Sequence, residues 1–185
     1  MATLRAHDAS QLGLHRTTLH RRAQTGSFEH IARGIYRSAD AEPADNDLIE
    51  AAMKRPDAIL CLTSALAHHD LIDDIPAAID LAIPRGSRIP ATEGAIAWHS
   101  FAAETINIGR TDFPIPGTDL TIGIYSPERC IVDAFRLRGY QGYETGPNAL
   151  REWLRRGGKP AALLDIAHKI PRAATPLNQA LEYLA

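Results

Sequence analysis

Within residues 13–37, GLHRTTLHRRAQTGSFEHIARGIYR, the hydrophobic period changes once, at Gly26, and that change constrains the N-terminal part of the chain more than any other feature. Ahead of it, Leu19 and Ala23 stand four apart, the spacing of one helix face, in a helix predicted over residues 15–25. Gly26 sits where a left-handed C-terminal cap belongs. Behind it, Phe28 and His30 alternate with Glu29 and Ile31, Arg33 and Gly34 turn the chain, and Ile35, Tyr36 and Arg37 return it, the pattern of a two-stranded hairpin. Residues 4–12, LRAHDASQL, place Leu4, Ala9 and Leu12 at spacings usable by one face of a shorter helix that Gly13 stops. Two helices joined by a short turn containing glycine form a helix-turn-helix, whose second helix enters the major groove; the ribbon that follows makes it winged.

The outer side of the second helix then carries Arg16, Thr17, His20, Arg21 and Gln24, with Arg33 at the ribbon tip and Arg37 on the returning strand. Arg and Gln can bond guanine and adenine bidentately, so the helix residues are the candidates for base edges and phosphates. Arg33 and Arg37 are candidate phosphate contacts, which position a protein without specifying sequence. The plain alternative is a solvated polar face, which any surface helix has. Charge favours the DNA reading: residues 1–37 hold six arginines against Asp8 and Glu29, a net of +4 in a chain of formal charge −2, which leaves −6 for residues 38–185. A basic end on an acidic body fits a small DNA-reading module joined to a domain with another task.

Residues 38–47, SADAEPADND, are acidic, small and interrupted by Pro43, and read as a linker, so the expected division is a winged helix-turn-helix over 1–39 and a second domain over 40–185. Asn46 or Asp47 can cap a helix carrying Leu48, Ile49, Ala52 and Met53 that Pro56 ends, and a strand over 58–62 leads through Thr63 into another helix. The runs IDLAIP, AIAWHSF, TINI and DLTIGIY then predict a mixed or antiparallel sheet of four or five strands at about 58–125. From Pro127 on the sequence is helical again to its end, in four segments that each open with proline. The fold class is α+β.

Several chemistries find little support. No apolar run approaches the roughly 20 residues of a membrane span, and Cys61 and Cys130 lie singly in apolar segments, as reduced core thiols do, so a cytoplasmic protein is expected. His68, His69 and His99 with the two cysteines invite a metal, but lack the paired spacing of zinc sites. Asp80, Glu128 and Asp133 are the carboxylates a nuclease would need, yet no Asp-x-Lys or Glu-x-Lys follows a strand; Glu128 suits a helix N-terminus and Asp133 can bond Arg129 one turn earlier. No G-x-S-x-G occurs, and Gly157 and Gly158 read as a helix C-cap. Neither an enzyme, nor a cofactor, nor a bound metal is expected. Leu150, Trp153 and Leu154, with Arg151, Arg155, Arg156 and Lys159, form an amphipathic helix and its exit, either an outer helix with a solvated face or a docking face for a partner.

Four blocks resemble the antitoxin family AbiEi of type IV, abortive-infection toxin-antitoxin systems. They are Gly34, Ile35 and Tyr36 at the wing; Ser64, Ala65 and Leu66 with His69 and Leu71; residues 81–86, LAIPRG; and Tyr125, Ser126, Pro127, Glu128 and Arg129 with Asp133. The resemblance covers essentially the whole chain, and the last block is the most specific. It implies a winged helix-turn-helix that represses its own operon at inverted repeats, as a monomer or weak dimer. It also implies a C-terminal domain that neutralises a nucleotidyltransferase toxin, and Arg151, Arg155, Arg156 and Lys159 are then the partner-facing candidates. The family's additional helix ahead of the turn motif has no counterpart in residues 1–3, so a reader short of its first helix is expected. His15 and Arg22 stand where a small cap and an apolar core residue are usual, and Cys130 where threonine is preferred. The alternatives are a metal-dependent nuclease or nuclease-like pseudoenzyme, and a ligand-sensing transcription factor without a toxin.

Overall fold

A computed structural model describes residues 3–11 and 13–184, with the side chains of Ser10, Gln11, Arg16 and Leu184 outside the described set; Leu12, assigned above to the first helix, is also outside it. The fold is α+β, with two sheets and a helical C-terminal segment. By contacts the chain divides into two compact units, residues 1–58, 88–96 and 112–122, and residues 59–87, 97–111 and 123–185. The first unit is therefore larger than the 1–39 expected, and later segments of the chain return to it.

The first unit opens with strand β1 (Thr3–Arg5), helix α1 (Ala6–Gln11) and helix α2 (Arg16–Gln24), followed by the hairpin β2 (Phe28–Ala32) and β3 (Ile35–Ser38). The expected helix over 4–12 is thus a strand followed by a shorter helix. Thr3, Leu4 and Arg5 pair antiparallel with Arg37, Tyr36 and Ile35, which makes β3 the central strand of an order β1-β3-β2. Leu19, Ala9 and Tyr36 close the core between helices and sheet, with Leu14, Ala23 and Phe28 packed around them. Helix α3 (Asn46–Lys54) starts one residue after Asp45, whose carboxylate, in place of the expected Asn46 or Asp47, accepts the N–H groups of Asp47 and Leu48 at 2.9 and 3.1 Å. Ile49 on α3 is fully buried against Ala32 and Ile35. The run expected to be a linker is therefore a short connection into the unit's own third helix.

The remaining five strands form a second sheet, of order β6-β5-β4-β8-β7. Its strands are β4 (Ile59–Leu60), β5 (Ile79–Pro84), β6 (Ile96–Phe101), β7 (Arg110–Pro114) and β8 (Thr121–Tyr125), with β4 antiparallel to β5 and parallel to β8. Leu81, Ala82 and Ile83 on β5 and Ile122 and Ile124 on β8 are consecutive or near-consecutive buried residues, as inner strands covered on both faces require. The edge strands β6 and β7 are more exposed than the inner ones, β7 is the polar one of the two, and Pro114, which has no N–H to give a ladder, lies on an edge. The TINI run is a turn: the N–H of Thr105 bonds the Ala102 carbonyl and that of Ile108 the Thr105 carbonyl.

Helix α4 (Leu62–His68) has Cys61 at its N-cap position, two residues before the Thr63 expected and without a side-chain capping bond. Helix α5 (Pro127–Arg136) begins with Ser126 as N-cap and Pro127 in the first turn, and is buried from Arg129 to Phe135. It is the hub of the second unit: α4, α7 (Thr145–Arg155), α8 (Pro160–Ala167) and α9 (Ala174–Leu184) all pack on it, with the short α6 (Arg138–Gln141) following it. Gly157 and Gly158 close α7 as expected, bonding the carbonyls of Leu154 and Trp153. Among the described residues no helix is long and apolar enough to cross a membrane.

Candidate nucleic-acid interface

Helix α2 is fixed from inside by Leu19, fully buried, and at its end by a Schellman closure: the N–H of Ser27 bonds the carbonyl of Arg22 at 3.0 Å and that of Gly26 the carbonyl of Ala23 at 3.2 Å. Gly26 takes φ +78°, which a residue with a Cβ would adopt only under strain. With the inner face settled, Thr17, His20, Arg21 and Gln24 are all exposed. Their spacing of three, four and seven places them on one stripe. Arg16 opens the helix, but its side chain lies outside the described residues. His15, at the N-cap position, makes no side-chain capping bond, and Arg22 is exposed where an apolar residue was expected.

The hairpin turns at Arg33 and Gly34, the latter at φ +79°, between the paired residues Ala32 and Ile35. Register shifts at Ile31, an extra residue in β2. Arg33 is exposed at the tip, and with His20, Gln24, His30 and Tyr36 it lines one open cleft. His30 and Tyr36 face each other across the strands with ring centroids 5.1 Å apart. Helix stripe and hairpin tip therefore meet at one surface, which carries the donors and rings that groove and phosphate contacts use.

Arg37 does not belong to that surface. It is 3% exposed, and its Nη2 bonds the carbonyls of Glu42 and, at 2.9 Å, Gly117. The segments that carry Glu42 and Gly117 receive its guanidinium, so it is enclosed within the unit. It ties the connection after β3 to residue 117 of the same unit.

One component of the cleft was not visible in the sequence. Residues 91–95 are bound to α3 through three of its polar side chains. Both oxygens of Glu50, which is 1% exposed, accept the N–H of Glu93 at 3.0 Å, and Oε2 also takes that of Gly94 at 2.9 Å. Lys54 Nζ bridges Glu50 Oε1 and the Ala91 carbonyl, each at 2.6 Å, and Asp47 Oδ2 accepts the N–H of Ala95 at 3.0 Å. Burial pushes the Glu50 carboxyl up, but the Lys54 ammonium and the two N–H groups outweigh it and hold the group below its ordinary value. A Cβ on Gly94 would come within 2.2 Å of Asp47 Oδ1, so the close approach needs glycine. The clamp delivers the Glu93 carboxylate to the hairpin tip, where Oε1 accepts the Arg33 N–H at 2.7 Å.

The basic set on α7 divides. Arg156 bonds the carbonyls of His69 and Asp70 at 3.2 and 2.6 Å and holds the turn after α4. Arg155 forks onto Glu152, which also takes Arg156 Nε at 2.6 Å, and these bonds hold the Glu152 carboxyl down at about 2. Arg151 is exposed and bonds Asn148, and Lys159 is exposed at the cap of α8. The cleft beside them is not simply basic, since Asp70, Asp73 and Asp74 line it with Arg151 and Arg155.

Several of the residues that invited enzymatic or metal readings are bonded within the fold. Arg129 and Asp133 are both fully buried and bonded at 2.8 Å, and Asp133 also takes Arg136 at 2.8 Å. Arg129 Nη1 further collects the carbonyls of Thr105 and Ile108, and its guanidinium lies 4.2 Å from the Tyr125 ring centre. Asp80 joins His99 Nε2 at 2.8 Å and the Ser64 hydroxyl at 3.4 Å, while His69 Nε2 donates to the Tyr125 carbonyl at 2.8 Å. Glu128 stands in the first turn of α5. Cys61 and Cys130 are buried free thiols, and burial raises both well above the ordinary thiol range. No group of three His, Cys, Asp or Glu among the described residues is placed to hold a metal ion.

No family model matches the chain, and no curated protein matches it in sequence. In fold it is similar to the crystal structure of the RV2827C protein from Mycobacterium tuberculosis, with a TM-score of 0.64 at 16% identity, over 98% of this chain and 72% of that one.

Proposed function

We propose that the chain is an antitoxin of the AbiEi kind. In this reading it binds inverted repeats in its own operator through α2 and the hairpin, represses its operon, and neutralises a cognate nucleotidyltransferase toxin in the cytoplasm. It works by binding and not by catalysis. The observation that carries the DNA half is the exposed stripe Thr17, His20, Arg21 and Gln24, of which His20 and Gln24 share one cleft with Arg33. The neutralising half rests on the resemblance of the Ser64 and Tyr125 blocks, whose polar side chains bond within the second unit. Arg151 and Lys159 are the members of the α7 set with the least internal bonding, and so the first to examine for partner contact. A nuclease has less in its favour, because Asp80 and Asp133 are each bonded to basic side chains.

The test is co-expression of the full chain with a nucleotidyltransferase encoded beside it, read as growth rescue and as capture in a pull-down. Rescue is expected. No rescue, or equal rescue by a chain lacking residues 38–185, contradicts the antitoxin reading, and repression of the operon by a chain that does not rescue favours a plain transcription factor.

A further inference from the structure

The Glu93 carboxylate sits on the backbone amide of the hairpin tip, 2.7 Å from the Arg33 nitrogen, in the cleft that His20, Gln24 and His30 also line. A tip amide beside a guanidinium and imidazoles is a donor set for a phosphodiester oxygen, and a carboxylate is the protein's own anion of similar bonding habit. We propose that Glu93 is a built-in stand-in for a DNA phosphate, occupying the wing-tip amide in the free chain and giving way when a duplex enters. The inference rests on the reading of α2 and the hairpin as a DNA reader.

Two features set this contact apart from a chance surface bond. The backbone under Glu93 is fixed, since Glu50 holds residues 93 and 94, Lys54 holds residue 91 and Asp47 holds residue 95. The Glu93 side chain, in contrast, is on an exposed residue and free to change rotamer. Displacement thus breaks one bond and leaves the loop in place. While it stays, its charge opposes any phosphate brought to Arg33, whatever the sequence of the duplex. The device weakens binding uniformly and leaves base discrimination to α2.

The test is a fluorescence anisotropy titration of the full chain with two labelled duplexes, one from the sequence upstream of its own gene and one scrambled. The variants are Glu93→Gln, which keeps the acceptor and removes the charge, and Glu104→Gln, which removes an exposed charge in the second unit. Glu93→Gln should tighten binding to both duplexes by about 3- to 10-fold, with Glu104→Gln unchanged. Equal affinity of Glu93→Gln and the unmodified chain, or an equal gain from Glu104→Gln, overturns the proposal while leaving the DNA reader standing. Absence of binding to either duplex by every form removes both. The Arg33 amide resonance of the unmodified chain gives a readout without substitution. It should shift when duplex is added, and a chain that binds with that resonance unmoved contradicts the exchange.

Discussion

Arginine has opposite uses in the two units. Arg129 in the second is fully buried, pairs with Asp133, collects two turn carbonyls and lies over Tyr125; it is as much a part of the core as the isoleucines beside it. Arg21 and Arg33 in the first are exposed, and among the described residues neither side chain has an ion-pair partner. Arg37 is the control inside the first unit, a hairpin arginine made structural by the Glu42 and Gly117 carbonyls that enclose it. A buried charge must find its partners within the fold, whereas an exposed one on a rigid element remains available to an outside ligand.

The largest break of this contrast is Arg129→Ala. It takes from the buried Asp133 one of its two cationic partners and from two turn carbonyls their donor, and should cost about 3–5 kcal/mol in urea unfolding. A loss under 1 kcal/mol would show that the pair is not structural. Glu50→Ala comes next, since it leaves two N–H groups and Lys54 without their acceptor; a loss of about 2–3 kcal/mol is expected. The contribution of Glu50 also has a pH window. Its folded-state value lies below the ordinary one, so the stability it adds is present above about pH 4.3 and is lost as pH falls through the folded value. The stability difference between Glu50→Gln and the unmodified chain should therefore shrink below about pH 4, and a difference that grew there would reverse the sign.

Arg33→Ala should lower affinity for all duplexes alike and reduce the salt slope by about one ion, with unfolding midpoints unchanged. At the small end, Arg151→Ala should alter stability by less than about 0.5 kcal/mol, as an exposed residue bonded only to Asn148 would. A larger loss would move Arg151 from the available class to the structural one.

Local signals made much of this legible. The α2 helix and its end were readable because Leu19, Ala23 and Gly26 act within a few residues of one another, and so was the start of α5 from Pro127 and Glu128. What could not be read depends on partners far along the chain. The three residues of β1 carry no strand signal, and the burial of Arg37 depends on the Gly117 carbonyl 80 residues away. TINI looks like a strand by composition, yet Arg129 draws two of its carbonyls into a turn. The clamp on residues 91–95 joins ordinary backbone N–H groups to carboxylates more than 40 residues away, with no motif to mark it. In the second unit the pairing of Asp133 with Arg129 was readable from their spacing, but Asp80 as the partner of Ser64 and the Tyr125 carbonyl as the acceptor of His69 follow only from the packing.

The central proposal is that α2 and the hairpin tip together form a surface that reads DNA. It is tested most directly by titrating the unmodified chain and Arg21→Ala against the upstream duplex and its scrambled counterpart at one salt concentration. The unmodified chain should prefer the upstream duplex, and Arg21→Ala should lose about 1–3 kcal/mol on it and much of the preference. Identical affinities for the two proteins on both duplexes would contradict the account.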